Sequence, residues 1–133
     1  MVDPTGPRPL EKKKILIVED EYLIAAQLVD ELELLGAEIV GPSPSLERAL
    51  ELVKTEPVDL AVLDINLQGK LCFPLADALS ERGISFIFQT GYDPDLHVPQ
   101  RYASVPRWHK PFTPQALAAS LALYMSQNRR TVH

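Results

Sequence analysis

The run Leu60-Ala61-Val62-Leu63 is apolar at every position, ends in the carboxylate of Asp64, and is followed by a turn-forming stretch from Asn66 to Gly69. An apolar run of about four to eight residues closed by a turn signal reads as a strand buried on both faces. Such a strand needs cover above and below, which a parallel sheet with helices on both faces supplies. An unpaired carboxylate is costly inside it, so Asp64 belongs at the carboxyl end. Ligands of open parallel α/β sheets bind at that edge, which makes Asp64 a candidate for chemistry. A turn or helix-capping role suits a single aspartate after a strand equally well, so position alone leaves both readings open.

Four further stretches carry the strand pattern, at residues 14–18, 37–41, 85–89 and 105–109, and the opening run extends over 58–64. Between them lie helical patterns. Ile24, Leu28, Leu32 and Leu35 recur at helical spacing over 22–35, and Gly36 stands where a left-handed cap is favoured. Leu46, Ala49, Leu50 and Val53 mark a second helix, capped by Ser43 or Ser45 and stopped by Glu56-Pro57. Leu75, Ala76 and Leu79 mark a third over 73–82. Residues 93–102 have the length of a fourth, which Pro94 and Pro99 make short or irregular. Thr113-Pro114 opens a fifth, which buries Leu117, Leu121 and Tyr124 or Met125 and runs to about residue 127. Pro106 suits an edge strand for 105–109.

Five strands alternating with helices predict a flavodoxin-like, doubly wound α/β fold with parallel strand order 2-1-3-4-5. Residues 1–13, with three prolines, are expected to be a flexible tail, 14–127 the folded domain and 128–133 a frayed end. A chain of 133 residues fits one such domain and leaves little room for an attached effector.

Composition narrows the function. A net charge of −5, with no basic run interleaved with aromatics, lacks the electrostatic footprint of a nucleic-acid binder. The single cysteine, Cys72, excludes a disulfide framework and a cysteine-rich zinc site. No apolar run approaches the length of a membrane span, and the amino terminus lacks the apolar core of a signal peptide, so a cytoplasmic location is expected.

The predicted strand order brings Glu19 and Asp20, after the first strand, beside Asp64, after the third. Carboxylates brought that close repel one another unless a cation lies among them, and a few hard oxygen ligands suit Mg²⁺. Taken alone, Glu19-Asp20 also reads as a helix-dipole partner. The fourth strand ends in Thr90-Gly91 and the fifth leads into Lys110, so a hydroxyl, an approachable backbone N–H and an ammonium reach the same edge. These are the recurrent parts of phosphoryl transfer.

Ile15-Leu16-Ile17-Val18-Glu19-Asp20-Glu21, Leu63-Asp64-Ile65-Asn66-Leu67, Thr90-Gly91 and Lys110-Pro111-Phe112 stand in that order, with intervals of 26 residues from Asp64 to Thr90 and 20 from Thr90 to Lys110. In these segments the chain resembles the receiver domain of two-component response regulators. The resemblance implies that Asp64 is the phosphoacceptor, taking phosphate from a histidine kinase or histidine phosphotransfer protein. It implies Mg²⁺ held by Glu19, Asp20, Asp64 and the backbone carbonyl of Asn66, with Glu19 acting through water. Thr90 and Lys110 would hold the phosphoryl oxygens, Lys110-Pro111 is a candidate cis peptide, and Tyr92 is expected to shield the phosphoryl group from water. The first helix and the loop before the last are the implied kinase-docking surface.

Ser85-Phe86-Ile87-Phe88-Gln89-Thr90-Gly91-Tyr92 also resembles the signature of the "FAT GUY" receivers, departing from it at Ser85 and Gln89. Receivers carry an aromatic three places before the lysine, where this chain has Arg107; Trp108, one place on, points to the opposite face. Two alternatives share parts of the pattern. A pseudo-receiver that binds partners unphosphorylated would lack the acceptor, metal ligand or lysine, and a phosphohydrolase of the haloacid dehalogenase kind needs a carboxylate where Asn66 stands.

Overall fold

The computed structural model describes residues 8–91, 93–110 and 113–131. Five parallel strands form the sheet: β1 (Lys14–Val18), β2 (Glu38–Ser43), β3 (Leu60–Asp64), β6 (Ser85–Thr90) and β7 (Arg107–His109). Their order is β2-β1-β3-β6-β7, which is the expected 2-1-3-4-5 once the small hairpin β4 (Asn66–Leu67) and β5 (Lys70–Leu71) is set aside. Alternation along each strand splits the core in two. On one face Leu16, Val18, Ala61, Leu63, Phe86 and Phe88 pack against α2 (Leu46–Thr55) and α3 (Phe73–Glu81). On the other, Ile15, Ile17, Leu60, Val62 and Ile87 pack against α1 (Tyr22–Leu34) and α4 (Pro114–Thr131).

The helices follow the local signals. Ser45, and not Ser43, caps α2, its hydroxyl accepting the Arg48 N–H at 3.2 Å. Ser43 is buried and donates its hydroxyl to the Ser45 carbonyl. The strand expected over 37–41 begins one residue later and continues through a cis Gly41-Pro42 bond to Ser43, whose carbonyl accepts the Glu19 N–H at 3.0 Å. In α1 Leu28 and Leu32 are fully buried, whereas Ile24 is only half-buried.

One expectation is met and two are corrected. Residues 93–102, expected to be short or irregular, form a turn and a 3-10 helix at Gln100–Tyr102, as the prolines dictate. The tail does not extend to residue 13: Leu10 is fully buried, and its N–H donates to the Leu35 carbonyl at 2.8 Å. The last helix continues past residue 127 to Thr131, where neither glycine nor proline stops it. The proposed cis bond before Pro111 and the role given to Tyr92 lie outside the described residues.

The hairpin is an element that periodicity did not reveal. Its two-residue turn holds Gln68 at φ 54° and Gly69 at φ 90°, the pair of left-handed conformations that a type I′ turn requires. The Asn66 side-chain oxygen accepts the Gly69 N–H at 2.7 Å and closes it. The hairpin tip is tied to α2 by an ion pair between Lys70 and Glu47.

Candidate functional site

The carboxyl ends of four neighbouring strands meet over a cavity of about 440 Å³ lined by Asp20, Glu21, Asp64, Asn66, Thr90 and Lys110, among others. Register explains the meeting. Val18 pairs with Leu63 and Asp64 with Gln89, so the ends of β1, β3 and β6 come level. The Lys110 N–H then donates to the Thr90 carbonyl at 2.8 Å and holds the residue after β7 at the same edge.

Lys110 organises the charges. Its ammonium lies 2.9 Å from Asp64 Oδ2, 2.8 Å from Glu19 Oε1 and 3.0 Å from Glu21 Oε1. Burial alone would lower its pKa, but the hydrogen bonds to Glu19, Asp64 and Glu21 outweigh that and hold it above the usual lysine value. Glu19, only 2% exposed, has its carboxyl pushed up to about 8, first by burial and then by Asp64, with Lys110 opposing. Its Oε1 stands close to the ammonium but at an angle that makes no hydrogen bond, while Oε2 accepts from Lys110 at 3.2 Å.

The hairpin closes the acidic side. The Gln68 N–H donates to Asp20 Oδ2 at 3.1 Å and the Asn66 N–H to Asp64 Oδ1 at 3.2 Å. Thr90 is buried, with its hydroxyl donating to the Gly91 carbonyl at 3.1 Å. Glu19, Asp20, Asp64, Asn66, Thr90 and Lys110, all singled out from the sequence, are thus gathered at one edge.

One ammonium faces four carboxylates here, those of Glu19, Asp20, Glu21 and Asp64. Glu19, Asp20 and Glu21 each offer an oxygen within 4.8 Å of the others'. With a buried Glu19 oxygen lacking a hydrogen bond, the donor set fits a hard divalent cation, as all-oxygen ligands of excess negative charge should. Glu21 was legible as part of the acidic triplet but was not assigned to the site; its bond to Lys110 depends on the turn into α1.

Tyr102 was missed altogether. It is 5% exposed, and its ring lies 5.6 Å from Phe86 and 6.0 Å from Phe88, centroid to centroid, with its hydroxyl donating to Asp77. Arg107 is exposed, and Trp108 packs into the α1/α4 core as alternation predicts. The signal for Tyr102 was an aromatic residue in an irregular segment following an aromatic-rich strand. His97 and His109 are exposed. Cys72 is buried, and burial with the nearby Asp64 charge pushes its thiol up to about 12.

The response regulator receiver domain model matches residues 15–122. The transcriptional regulatory protein YvrH of Bacillus subtilis is 30% identical over 121 residues, covering 89% of this chain and 51% of that protein. The chain spans about half the length of the curated relatives that match most of it. Among solved structures, SdrG from Sphingomonas melonis Fr1 is 43% identical, with a TM-score of 0.72 over 84% of this chain and 94% of that one. The BeF3-activated conformation of SdrG from Pseudomonas melonis Fr1 is likewise 43% identical, with a TM-score of 0.69 over 85% and 97%. Fold, site geometry and family match agree: the chain belongs to the response regulator receiver domain family.

Proposed function

We propose that this receiver domain accepts a phosphoryl group on Asp64 from a phosphohistidine of a sensor kinase or phosphotransfer protein and signals by altered protein binding. The observation that carries the reading is the Lys110 ammonium 2.9 Å from Asp64 Oδ2, in a cavity where four strand ends converge. An Asp64 oxygen attacks phosphorus, the phosphorus–nitrogen bond breaks, and the imidazole leaves with its electron pair, giving an acyl phosphate. Lys110 then transfers its attraction from the carboxylate to the phosphoryl oxygens, and the Thr90 hydroxyl turns from the Gly91 carbonyl to a phosphoryl oxygen. Glu19, Asp20, Asp64 and the Asn66 carbonyl would hold Mg²⁺, which neutralises the carboxylates and the incoming phosphoryl charge.

The capture of the related SdrG in a BeF3-activated conformation supports the phosphoacceptor reading. Tyr22 and Leu23, 82% and 73% exposed at the start of α1 beside the cavity, support α1 as the surface that meets the phosphodonor. No described helix is long and apolar enough to cross a membrane.

The test is intact-mass analysis after incubation with acetyl phosphate, with and without Mg²⁺, for the unsubstituted chain and Asp64→Asn. A labile, Mg²⁺-dependent gain of one phosphate, lost in Asp64→Asn, is expected. No gain from acetyl phosphate or from phosphorylated kinases in a folded protein would favour a module that binds partners unphosphorylated.

A further inference from the structure

Gln89 is fully buried, and neither its side-chain oxygen nor its side-chain nitrogen has a hydrogen-bond partner among the described residues. A buried polar group left unpaired costs about 1–3 kcal/mol. An apolar side chain of similar length would fill the same space without that penalty, so the structure offers no packing reason for an amide here.

Its position offers another reason. Gln89 pairs with Asp64 on β3 and with Trp108 on β7. It shares the α1/α4 face with Ile87 and Trp108, opposite Phe86 and Phe88. It therefore stands between the acceptor strand and the strand that delivers Lys110. Neighbouring strands lie about 4.8 Å apart, so the Lys110 side chain must cross the end of β6 to reach Asp64 and Glu19. Gln89 lies one residue before that end, between Asp64 on β3 and Trp108 on β7.

In this structure the ammonium has three carboxylate partners: Glu19, Glu21 and Asp64. Phosphorylation turns the Asp64 carboxylate into an acyl phosphate and draws the ammonium toward the phosphoryl oxygens, which loosens those contacts. Resting on the phosphoacceptor reading, we propose that Gln89 is a positioning residue: its side-chain oxygen accepts an N–H of Lys110 when Asp64 carries phosphate and keeps the ammonium against the phosphoryl group. The exchange involves hydrogen bonds only, and Gln89 touches no reacting atom.

A double-mutant cycle tests this. Gln89→Met preserves length and removes both hydrogen-bonding atoms. Phosphorylation by acetyl phosphate with Mg²⁺ is expected to slow by about tenfold when Lys110 is present and not at all in a Lys110→Ala background, with thermal stability kept or raised. Equal slowing in both backgrounds, or none in either, overturns the proposal. Should Gln89→Met not fold, the otherwise unsubstituted protein still decides. Beryllofluoride with Mg²⁺ is expected to move the side-chain amide NMR signal of Gln89, and to move it much less in Lys110→Ala; an unmoved signal overturns the proposal. A chain that gains no phosphate refutes the phosphoacceptor reading and this proposal with it, whereas a phosphorylated chain indifferent to Gln89→Met refutes this proposal alone.

Discussion

At the scale of single residues, Glu19 couples folding to pH. Its carboxyl titrates near 8 in the metal-free fold against 4.5 ordinarily, because burial and Asp64 oppose its charge more than Lys110 favours it. The folded state thus keeps a proton that the unfolded chain gives up, so unfolding releases a proton between these values and stability falls as pH rises. In EDTA the melting temperature is expected to decline from pH 5 toward about 8, and Glu19→Gln to flatten that decline; equal slopes in the two proteins would exclude Glu19 as the source. Glu19, Asp20, Asp64 and Thr90 were nameable from the chain because each stands at the end of a largely apolar strand, where a polar group has nowhere to go but the sheet edge; Lys110 was nameable as the cation that follows the fifth strand. Gln89 was noticed only as a departure from a motif. Its isolation depends on which groups the adjacent strands place beside it, and no single stretch of chain contains them.

Among the elements, the segment from residue 93 to 106 departs most from helical expectation, and Tyr102 explains how it stays in place. Its ring completes a cluster with Phe73, Phe86 and Phe88, while Arg101 and the Tyr102 hydroxyl both reach Asp77 on α3. Removing the whole ring in Tyr102→Ala is expected to destabilise the fold by about 3–5 kcal/mol. Tyr102→Phe keeps the ring, and because Asp77 remains solvated and paired with Arg101 it should cost only about 1 kcal/mol. Urea unfolding of both variants checks this, and equal losses would assign the stabilisation to the hydroxyl. Two prolines and weak periodicity correctly argued against a regular helix here. They carried no information on where the segment docks, because docking requires Phe86 and Phe88 to share one face of β6. The hairpin after Asp64 was likewise seen only as a turn, since two-residue strands are too short to show a period.

For the molecule as a whole, the surprise lies at the amino-terminal side of the sheet. Leu10 inserts into the α1/α4 core, Lys12 N–H donates to the Gly36 carbonyl at 3.2 Å, and a Cβ on Gly36 would stand 2.9 Å from Glu11 Cα. Gly36 therefore serves both as the left-handed end of α1, at φ 99°, and as the place where another segment comes close. Leu10→Ala is expected to lower stability by about 2–4 kcal/mol in urea unfolding. A change below about 0.5 kcal/mol, the size usual for a surface substitution, would return residues 10–13 to the tail. The prolines and lysines around Leu10 made the segment read as solvated, and one isolated leucine has no period to reveal its burial. By itself the sequence determined the α/β class and the identity of the groups at the acidic edge. Local patterning dictates these: runs apolar on both faces demand a doubly covered parallel sheet, and polar residues ending those runs must emerge at its rim. The strand order was expected as a common arrangement of that class, and the pairing of the strands decided it. The distances among those groups, the three-carboxylate grip on Lys110, the solitude of Gln89 and the burial of Leu10 and Tyr102 were decided by tertiary structure alone. Each depends on strand register and on segments far apart in the chain, and so on which atoms packing leaves within reach of one another.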